Sequence, residues 1–268
     1  MANERPTAAE RFFFETSGYL VLDRFLPSEH CALLRNALTK VIARRRKLEE
    51  SGTPHTGRNH LEGKKSTRIF YILDDDPLFL ELLDFPAIMP YVKCLLNEMP
   101  HHHASDAIVE HGSDYFDRKF GWHIDGHDNG FRGLGSPIPF LQLKIGYYLT
   151  DMTKPGHGNL CIIPGSHRAS SEPTQEDRES GEMFDGVLEV CAPEGSAILF
   201  HNALWHSSGT FTRKTGRRVM LYYAYEHPWM IASQEHWSYS QDFYDCLSPE
   251  RRKLFHGFVF DPPESRWG

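Results

Sequence analysis

The side chains of His123 and Asp125 lie two residues apart and are the first chemically suggestive pair in this sequence. Residues i and i+2 of a β-strand project from the same face. A strand here would therefore present an imidazole and a carboxylate together, with Ile124 on the opposite face. Two histidines and one carboxylate with open coordination positions are typical of Fe(II) oxygenases. The pair could thus be two thirds of an iron site, although a chain with sixteen histidines also produces such pairs by chance.

A third ligand would have to come from another segment, and two histidines compete for that role. His201 and His206 both follow the turn and apolar strand that begin at residue 194. Neither spacing nor composition chooses between them. Further along, Arg217 precedes another apolar strand. A guanidinium near a metal can hold a dicarboxylate through two parallel hydrogen bonds, although the same residue type suits an ordinary protein surface.

The elements that must position these side chains change in character near residue 100. Before it, helical and strand patterns alternate; after it, short β-rich runs are separated by Gly, Pro, Asn and Asp, as in sandwiches and barrels. The clearest runs are residues 142–149, 160–163, 186–190, 197–201 and 218–225. We predict a single domain over residues 1–268, with a mixed α/β part at 1–100, a β core at 101–227 and a C-terminal extension at 228–268.

The composition excludes several classes of protein. A net charge of −7 argues against nucleic-acid binding, which needs a basic surface. Five cysteines without a CxxC pair argue against a disulfide framework and favour reduced thiols in the cytoplasm. No run of about 20 apolar residues is present, so no membrane span is expected.

Residues 158–168, which read Gly-Asn-Leu-Cys-Ile-Ile-Pro-Gly-Ser-His-Arg, resemble the phytanoyl-CoA dioxygenase (PhyH-like) family. That family has a Gly-x-Leu, a hydrophobic strand and Pro-Gly-Ser/Thr-His, with an HxD motif upstream and a distal histidine downstream. A serine two residues and an arginine eleven residues after that histidine match Ser208 and Arg217 here. The opening at residues 18–22, followed by Phe25 and Leu26, is also similar, and the elements keep their order over residues 11–227.

The resemblance implies a mainly β fold with flanking helices: a double-stranded β-helix (jelly-roll, cupin-like) core with N-terminal helices buttressing one sheet. It implies His206, rather than His201, as the third ligand of Fe(II). It also implies 2-oxoglutarate as co-substrate with O2. Ser208 and Arg217 would bind its distal carboxylate, and Arg68 would contact its other end.

Tyr147 matches an aromatic residue that lines the co-substrate pocket in the family, with packing in the core as the alternative. His167, in the Pro-Gly-Ser-His turn, is not used as a ligand in the family pattern. The Gly-rich residues 126–139 are the expected lid over the substrate.

The implied reaction is hydroxylation of an unactivated C–H bond of a small metabolite, with release of succinate and CO2. Asp125 argues against halogenation, because halogenating relatives replace this carboxylate with a small residue. Desaturation, cyclisation and epimerisation stay open, as do the substrate and the oligomeric state. A zinc hydrolase could use the same three ligands, and a jelly-roll binding protein without catalysis is the other alternative.

Overall fold

The computed structural model describes residues 5–52, 67–96, 99–111, 120–125, 131–180, 184–230 and 239–255. Its α-helices are α1 (Ala8–Ser17), α2 (Ser28–Glu50), α3 (Pro77–Leu83), α4 (Met89–Leu96), α5 (Gln175–Glu179), α6 (Gln241–Asp245) and α7 (Pro249–Arg252). Its strands are β1 (Tyr19–Leu22), β2 (Thr67–Phe70), β3 (His101–His111), β4 (Gln142–Tyr148), β5 (Leu160–Ile162), β6 (Leu188–Glu189), β7 (Ala197–His201), β8 (His206–Ser208) and β9 (Arg217–Glu226). No helix in the described ranges is long and apolar enough to cross a membrane.

The strands form two sheets in which every paired neighbour is antiparallel. The larger sheet has the order β1-β7-β4-β9-β3-β2, and the smaller one has the order β6-β5-β8. The predicted β core with N-terminal helices is confirmed. The N-terminal residues also join that core, because β1 pairs with β7 and β2 pairs with β3 at the two edges of the larger sheet.

Side-chain alternation divides the larger sheet into an inner and an outer face. On β9, Met220 and Tyr222 point inward and pack with residues of the smaller sheet. Leu221 and Tyr223 point outward into the core that the helices cover. On this strand, even-numbered residues therefore point to the inner face and odd-numbered residues to the outer face, and the same holds for the ionisable side chains.

Helix α1 is bounded by strong local signals at both ends. Thr7 and Glu10 form a capping box, and Gly18 ends the helix with a left-handed φ of 81°. A Cβ at Gly18 would lie 2.4 Å from Nδ1 of His167. The glycine therefore allows α1 to end against the Pro-Gly-Ser-His turn, where His167 also contacts the backbone oxygen of Glu15 through Nε2.

Helix α2 is held to the end of β2 by one buried arginine. Arg45 is 2% exposed, donates to the carbonyl of Phe70 at 3.0 Å and forms an ion pair with Asp75. The intervening Tyr71 has a φ of 57°, a left-handed conformation that costs free energy in a residue other than glycine. The Arg45 contacts thus fix both the edge strand and the turn that follows it.

We expect Arg45→Met to lower the free energy of unfolding by about 3–5 kcal/mol, because it leaves the mostly buried Asp75 carboxylate with only the exposed Arg44 and removes the donor to the carbonyls of Phe70 and Tyr71. The matched control is the neighbouring Arg44→Met. Arg44 also contacts Asp75, but its side chain is 52% exposed, so its loss should cost about 1 kcal/mol or less. Urea unfolding measures both values, and equal effects would refute a special role for Arg45.

Candidate functional site

Two histidines from distant parts of the chain are joined by a reciprocal pair of backbone hydrogen bonds. The amide of His123 donates to the carbonyl of His206 at 3.0 Å, and the amide of His206 donates back at 3.0 Å. The ring centroids lie 4.2 Å apart. His206 lies in β8, and β8 is anchored by pairing with β5, whose Ile162 is the partner of His206. The HxD segment is thus a single bridge at the edge of the smaller sheet rather than a full strand.

Asp125 is positioned by a second backbone contact. Its amide donates to the carbonyl of Asn202 at 2.8 Å. The side-chain oxygen of Asn202 in turn accepts from the amides of Leu141 and Gln142, at the start of β4. The loop between β7 and β8 therefore sets the position of the carboxylate as well as that of His206.

The three side chains converge as a metal site requires. One ligand atom each from His123, Asp125 and His206 lies within 4.8 Å of the others. The second carboxylate oxygen of Asp125, Oδ2, is buried and has no hydrogen-bond partner among the described residues. A buried carboxylate oxygen without a partner is costly unless it binds a cation. These residues therefore fit a divalent metal ion.

The electrostatic environment sets the protonation states that a metal needs. Burial, followed by the nearby His123, lowers the pKa of His206 to about 3, so its imidazole is neutral at pH 7. Burial by itself would raise the pKa of Asp125, but Lys144, His206 and His123 outweigh it and hold that pKa well below its usual range. Neutral imidazoles and an ionised carboxylate are the metal-binding forms.

Lys144 is a site residue that the sequence reading missed. Its Nζ lies 2.9 Å from Oδ1 of Asp125 and 5.4 Å from the centroid of the Tyr222 ring. Lys144 lies on β4 between Leu143 and Ile145. These two residues point outward into the helix-covered core, so the lysine side chain points to the inner face of the larger sheet. A lysine between two apolar residues of a strand was the available signal, since a lysine in a buried strand needs an oppositely charged partner.

A cavity of about 170 Å³ opens beside this cluster, between the inner face of the larger sheet and β8. His123 and His206 line it together with two residues that the sequence predicted, Ser208 and Arg68. Arg68 forms an ion pair with Asp106 through Nε at 2.9 Å. Asp125 does not line the cavity itself but forms an ion pair with Lys144, which does. The structure thus brings five of the seven predicted site residues to one region: His123, Asp125, His206, Ser208 and Arg68.

The structure does not bring Arg217 to this cavity. Arg217 is exposed on the outer face of the larger sheet, whereas the adjacent Arg218 is fully buried on the inner face. Nη1 of Arg218 donates to Glu110 at 2.7 Å, and Nη2 donates to the hydroxyl of Tyr222 at 3.2 Å. Both partners line the cavity. Side chains alternate along β9, so the residue that lies eleven positions after His206 is on the outer face of the sheet.

Tyr147 is also on the outer face, where it packs edge-to-face against Tyr223 in the core beneath the helices. Its alternative, core packing, is what the structure shows. Tyr148 faces inward and bonds the amide of Leu160 and the carbonyl of Val190. His201 is turned away from the site, with Nδ1 accepting from the amide of Ala203 and its ring against His167.

The expected lid at residues 126–139 lies partly outside the described residues, which resume at residue 131. The three histidines at 101–103 are buried, and His101 and His103 contact Glu226 through Nδ1 at 3.2 and 2.6 Å. They therefore lie in the protein interior and not on its surface.

Known proteins resemble this chain in sequence and in fold. It is 25% identical over 195 residues to "Dioxygenase af480" of Aspergillus fumigatus, covering 70% of this chain and 58% of the relative. It is 23% identical over 226 residues to the peroxisomal phytanoyl-CoA dioxygenase of Homo sapiens, covering 76% and 63%. The chain thus spans less than two thirds of either relative.

Among solved structures, EctD from S. alaskensis in its apo form has a TM-score of 0.68 at 20% identity, covering 88% of this chain and 82% of that one. The same protein has been solved with bound Fe, and with 2-oxoglutarate and 5-hydroxyectoine. At this identity the likeness shows a shared fold.

Residues 14–219 match the family described as phytanoyl-CoA dioxygenase (PhyH), which is more than half of the chain. The matched range contains the bridge between His123 and His206, the carboxylate of Asp125 and both arginines at the start of β9. The chain belongs to the phytanoyl-CoA dioxygenase family.

Proposed function

We propose that this chain is a non-haem Fe(II)- and 2-oxoglutarate-dependent oxygenase that hydroxylates a C–H bond of a small molecule. The observation that carries the proposal is the convergence of two imidazoles and one carboxylate beside a cavity that both histidines line, with Oδ2 of Asp125 buried and unpaired in the described structure. Three ligands from one side leave other positions of a metal ion open. Iron and 2-oxoglutarate bound to EctD, which has the same fold, support the same assignment.

In this proposal His123, Asp125 and His206 hold the iron, and Lys144 keeps Asp125 in place. Burial would lower the pKa of Lys144, but Asp125 and Asp106 raise it, so the lysine is charged. Its ion pair with Oδ1 restrains the carboxylate and leaves Oδ2 available to a metal. When bound, Fe(II) with 2-oxoglutarate and O2 supplies the oxidant that attacks the substrate, with release of succinate and CO2.

We assign the distal carboxylate of 2-oxoglutarate to Arg218 and Ser208, with Arg68 near the opposite end. Arg218 has a buried Nε without an acceptor in the described ranges. Its guanidinium is already bound to Glu110, whose carboxylate lines the same cavity. An incoming carboxylate would therefore have to share Arg218 with Glu110 or displace it.

Hydroxylation is the outcome that we favour, because Asp125 occupies the position that halogenating relatives leave to halide. After hydrogen abstraction, placement of the substrate decides between hydroxylation and desaturation, cyclisation or epimerisation.

All five cysteines, at positions 31, 94, 161, 191 and 246, are free thiols in the structure. A cytoplasmic location stays a prediction that these thiols favour.

We expect anaerobic addition of 2-oxoglutarate to the Fe(II)-loaded protein to produce the weak visible charge-transfer band of the chelate. Asp125→Ala should abolish the band, because it removes one of three ligands. The control is His201→Asn, which alters the competing histidine outside the site and should keep the band. Absence of the band in folded, iron-replete wild type would exclude the 2-oxoglutarate assignment and favour the hydrolase or binding-protein alternatives.

The two neighbouring arginines give a matched test of the co-substrate site. Arg218→Lys keeps a charge beside Glu110 but loses the planar fork, so the Kd for 2-oxoglutarate should rise about tenfold or more. Arg217→Lys should leave that Kd unchanged, because its side chain is on the other face of the sheet. Calorimetric titration of the iron-loaded, oxygen-free protein measures both, and the reverse ranking would restore Arg217 to the role.

Glu110→Gln should tighten 2-oxoglutarate binding, because it removes the negative charge that engages Arg218 while preserving shape and hydrogen bonding. A decrease in Kd of roughly threefold to tenfold corresponds to about 0.7–1.4 kcal/mol. The same titration provides the readout, with Glu189→Gln on β6 as a control carboxylate outside the cavity. A higher Kd for 2-oxoglutarate in Glu110→Gln would instead mean that Glu110 orients Arg218 for the co-substrate.

A further inference from the structure

Arg217 opens into a second cavity on the far side of the larger sheet. This cavity, which we call the outer cavity, has a volume of about 180 Å³ and lies between α2 and the outer face of β3 and β9. Its basic wall residues are Arg35 and Arg46 of α2, His111 of β3 and Arg217 of β9. Four basic side chains around one cavity are a strong local concentration in a chain with a net charge of −7.

The arginines approach the cavity from two opposing walls. Arg35 and Arg46 are eleven residues apart, which is about three turns and roughly 16 Å of helix, so they lie on one face near the two ends of the cavity. Arg217 comes from the sheet opposite them, where it is the cross-strand partner of His111. The outer cavity is therefore a trough with cationic groups on both of its sides.

The helix arginines are held in place by other contacts. Arg35 forms an ion pair with Glu194 at 2.8 Å and donates to the carbonyl of Leu149. Nη2 of Arg46 donates to the hydroxyl of Thr67. Arginines restrained in this way lose less conformational entropy when they bind a ligand.

Arg217 differs from the two helix arginines. It has no ion pair with any residue in the ranges that the structure describes, and its side chain is exposed. Between the arginines, the floor of the cavity is apolar and consists of Leu38, Ile42, Val109 and Val219. Apolar residues beside a guanidinium lower the local dielectric constant and so strengthen its attraction to an anion.

We propose that the outer cavity binds a phosphate group, either as free phosphate or as part of a small phosphate ester. Donors on two opposing walls suit a tetrahedral anion, which accepts hydrogen bonds from several directions, better than a planar carboxylate. Arginine is the side chain that most favours such bonds. Thr67 lines both the outer cavity and the cavity beside His123 and His206, which we call the iron cavity. The two cavities therefore adjoin at the β2 edge of the sheet.

Calorimetric titration of residues 1–268 with inorganic phosphate, at constant ionic strength, tests the proposal. Arg217→Gln should weaken binding at least tenfold, because it removes the cation on the sheet wall, and Arg46→Gln should weaken it several-fold. The control is Arg213→Gln, an exposed arginine in the β8–β9 connection that does not line the cavity. Thermal unfolding of each variant without phosphate shows whether the fold is intact.

A parallel titration with phenyl phosphate distinguishes the two sources of the group. Tighter binding of the ester than of phosphate assigns the site to an esterified ligand, and equal or weaker binding assigns it to free phosphate. Failure of wild type to bind either probe at about 10 mM would overturn the proposal. Unchanged binding in a folded Arg217→Gln would also overturn it, as would displacement of phosphate by 2-oxoglutarate, which would place the anion in the iron cavity.

Discussion

The reciprocal backbone hydrogen bonds between His123 and His206 are the constraint on which the rest of the site depends. They join segments 83 residues apart in an antiparallel pair, so the two imidazoles must lie side by side. Because main-chain groups make this contact, the ligand side chains are free to face the cavity. Asn202 extends the same arrangement to Asp125 through its carbonyl, and to the start of β4 through its amide oxygen. The geometry of the site therefore follows from strand pairing rather than from any one ligand.

Buried charge surrounds this arrangement, and each charged group there has an opposite partner. Lys144 is paired with Asp125, and Arg218 is paired with Glu110. Buried ion pairs contribute little net stability, because desolvation offsets most of their attraction. Their presence at the cavity is better explained by function: they keep Asp125, Lys144 and Arg218 ionised in a region of low dielectric constant, where a metal ion and an anionic co-substrate would interact strongly with them.

Strand β9 separates two kinds of cationic surface within one element. Arg218 lies buried on the inner face, bonded to Glu110 and Tyr222 of the cavity beside His123 and His206, and Arg217 lines the trough beneath α2. The same strand also carries Tyr222 inward and Tyr223 outward into the helix-covered core. A shift of one residue in the pairing of β9 would exchange all of these roles at once, which is why its long pairing with β3 matters to both cavities.

The sequence by itself determined the class of the fold, the HxD pair and the family, because periodicity and short motifs are local properties that survive without tertiary information. It did not determine which arginine lies on the inner face of the sheet, since the connection between β8 and β9 sets the parity of β9 and the spacing of a motif does not contain that information. The same parity separates Tyr147 from Tyr148. The role of Lys144 could not be predicted from the sequence, because its partner, Asp125, lies on another segment and is brought near only by tertiary packing. Side-chain direction within a strand and contacts between strands are decided by long-range pairing, which only the folded chain contains.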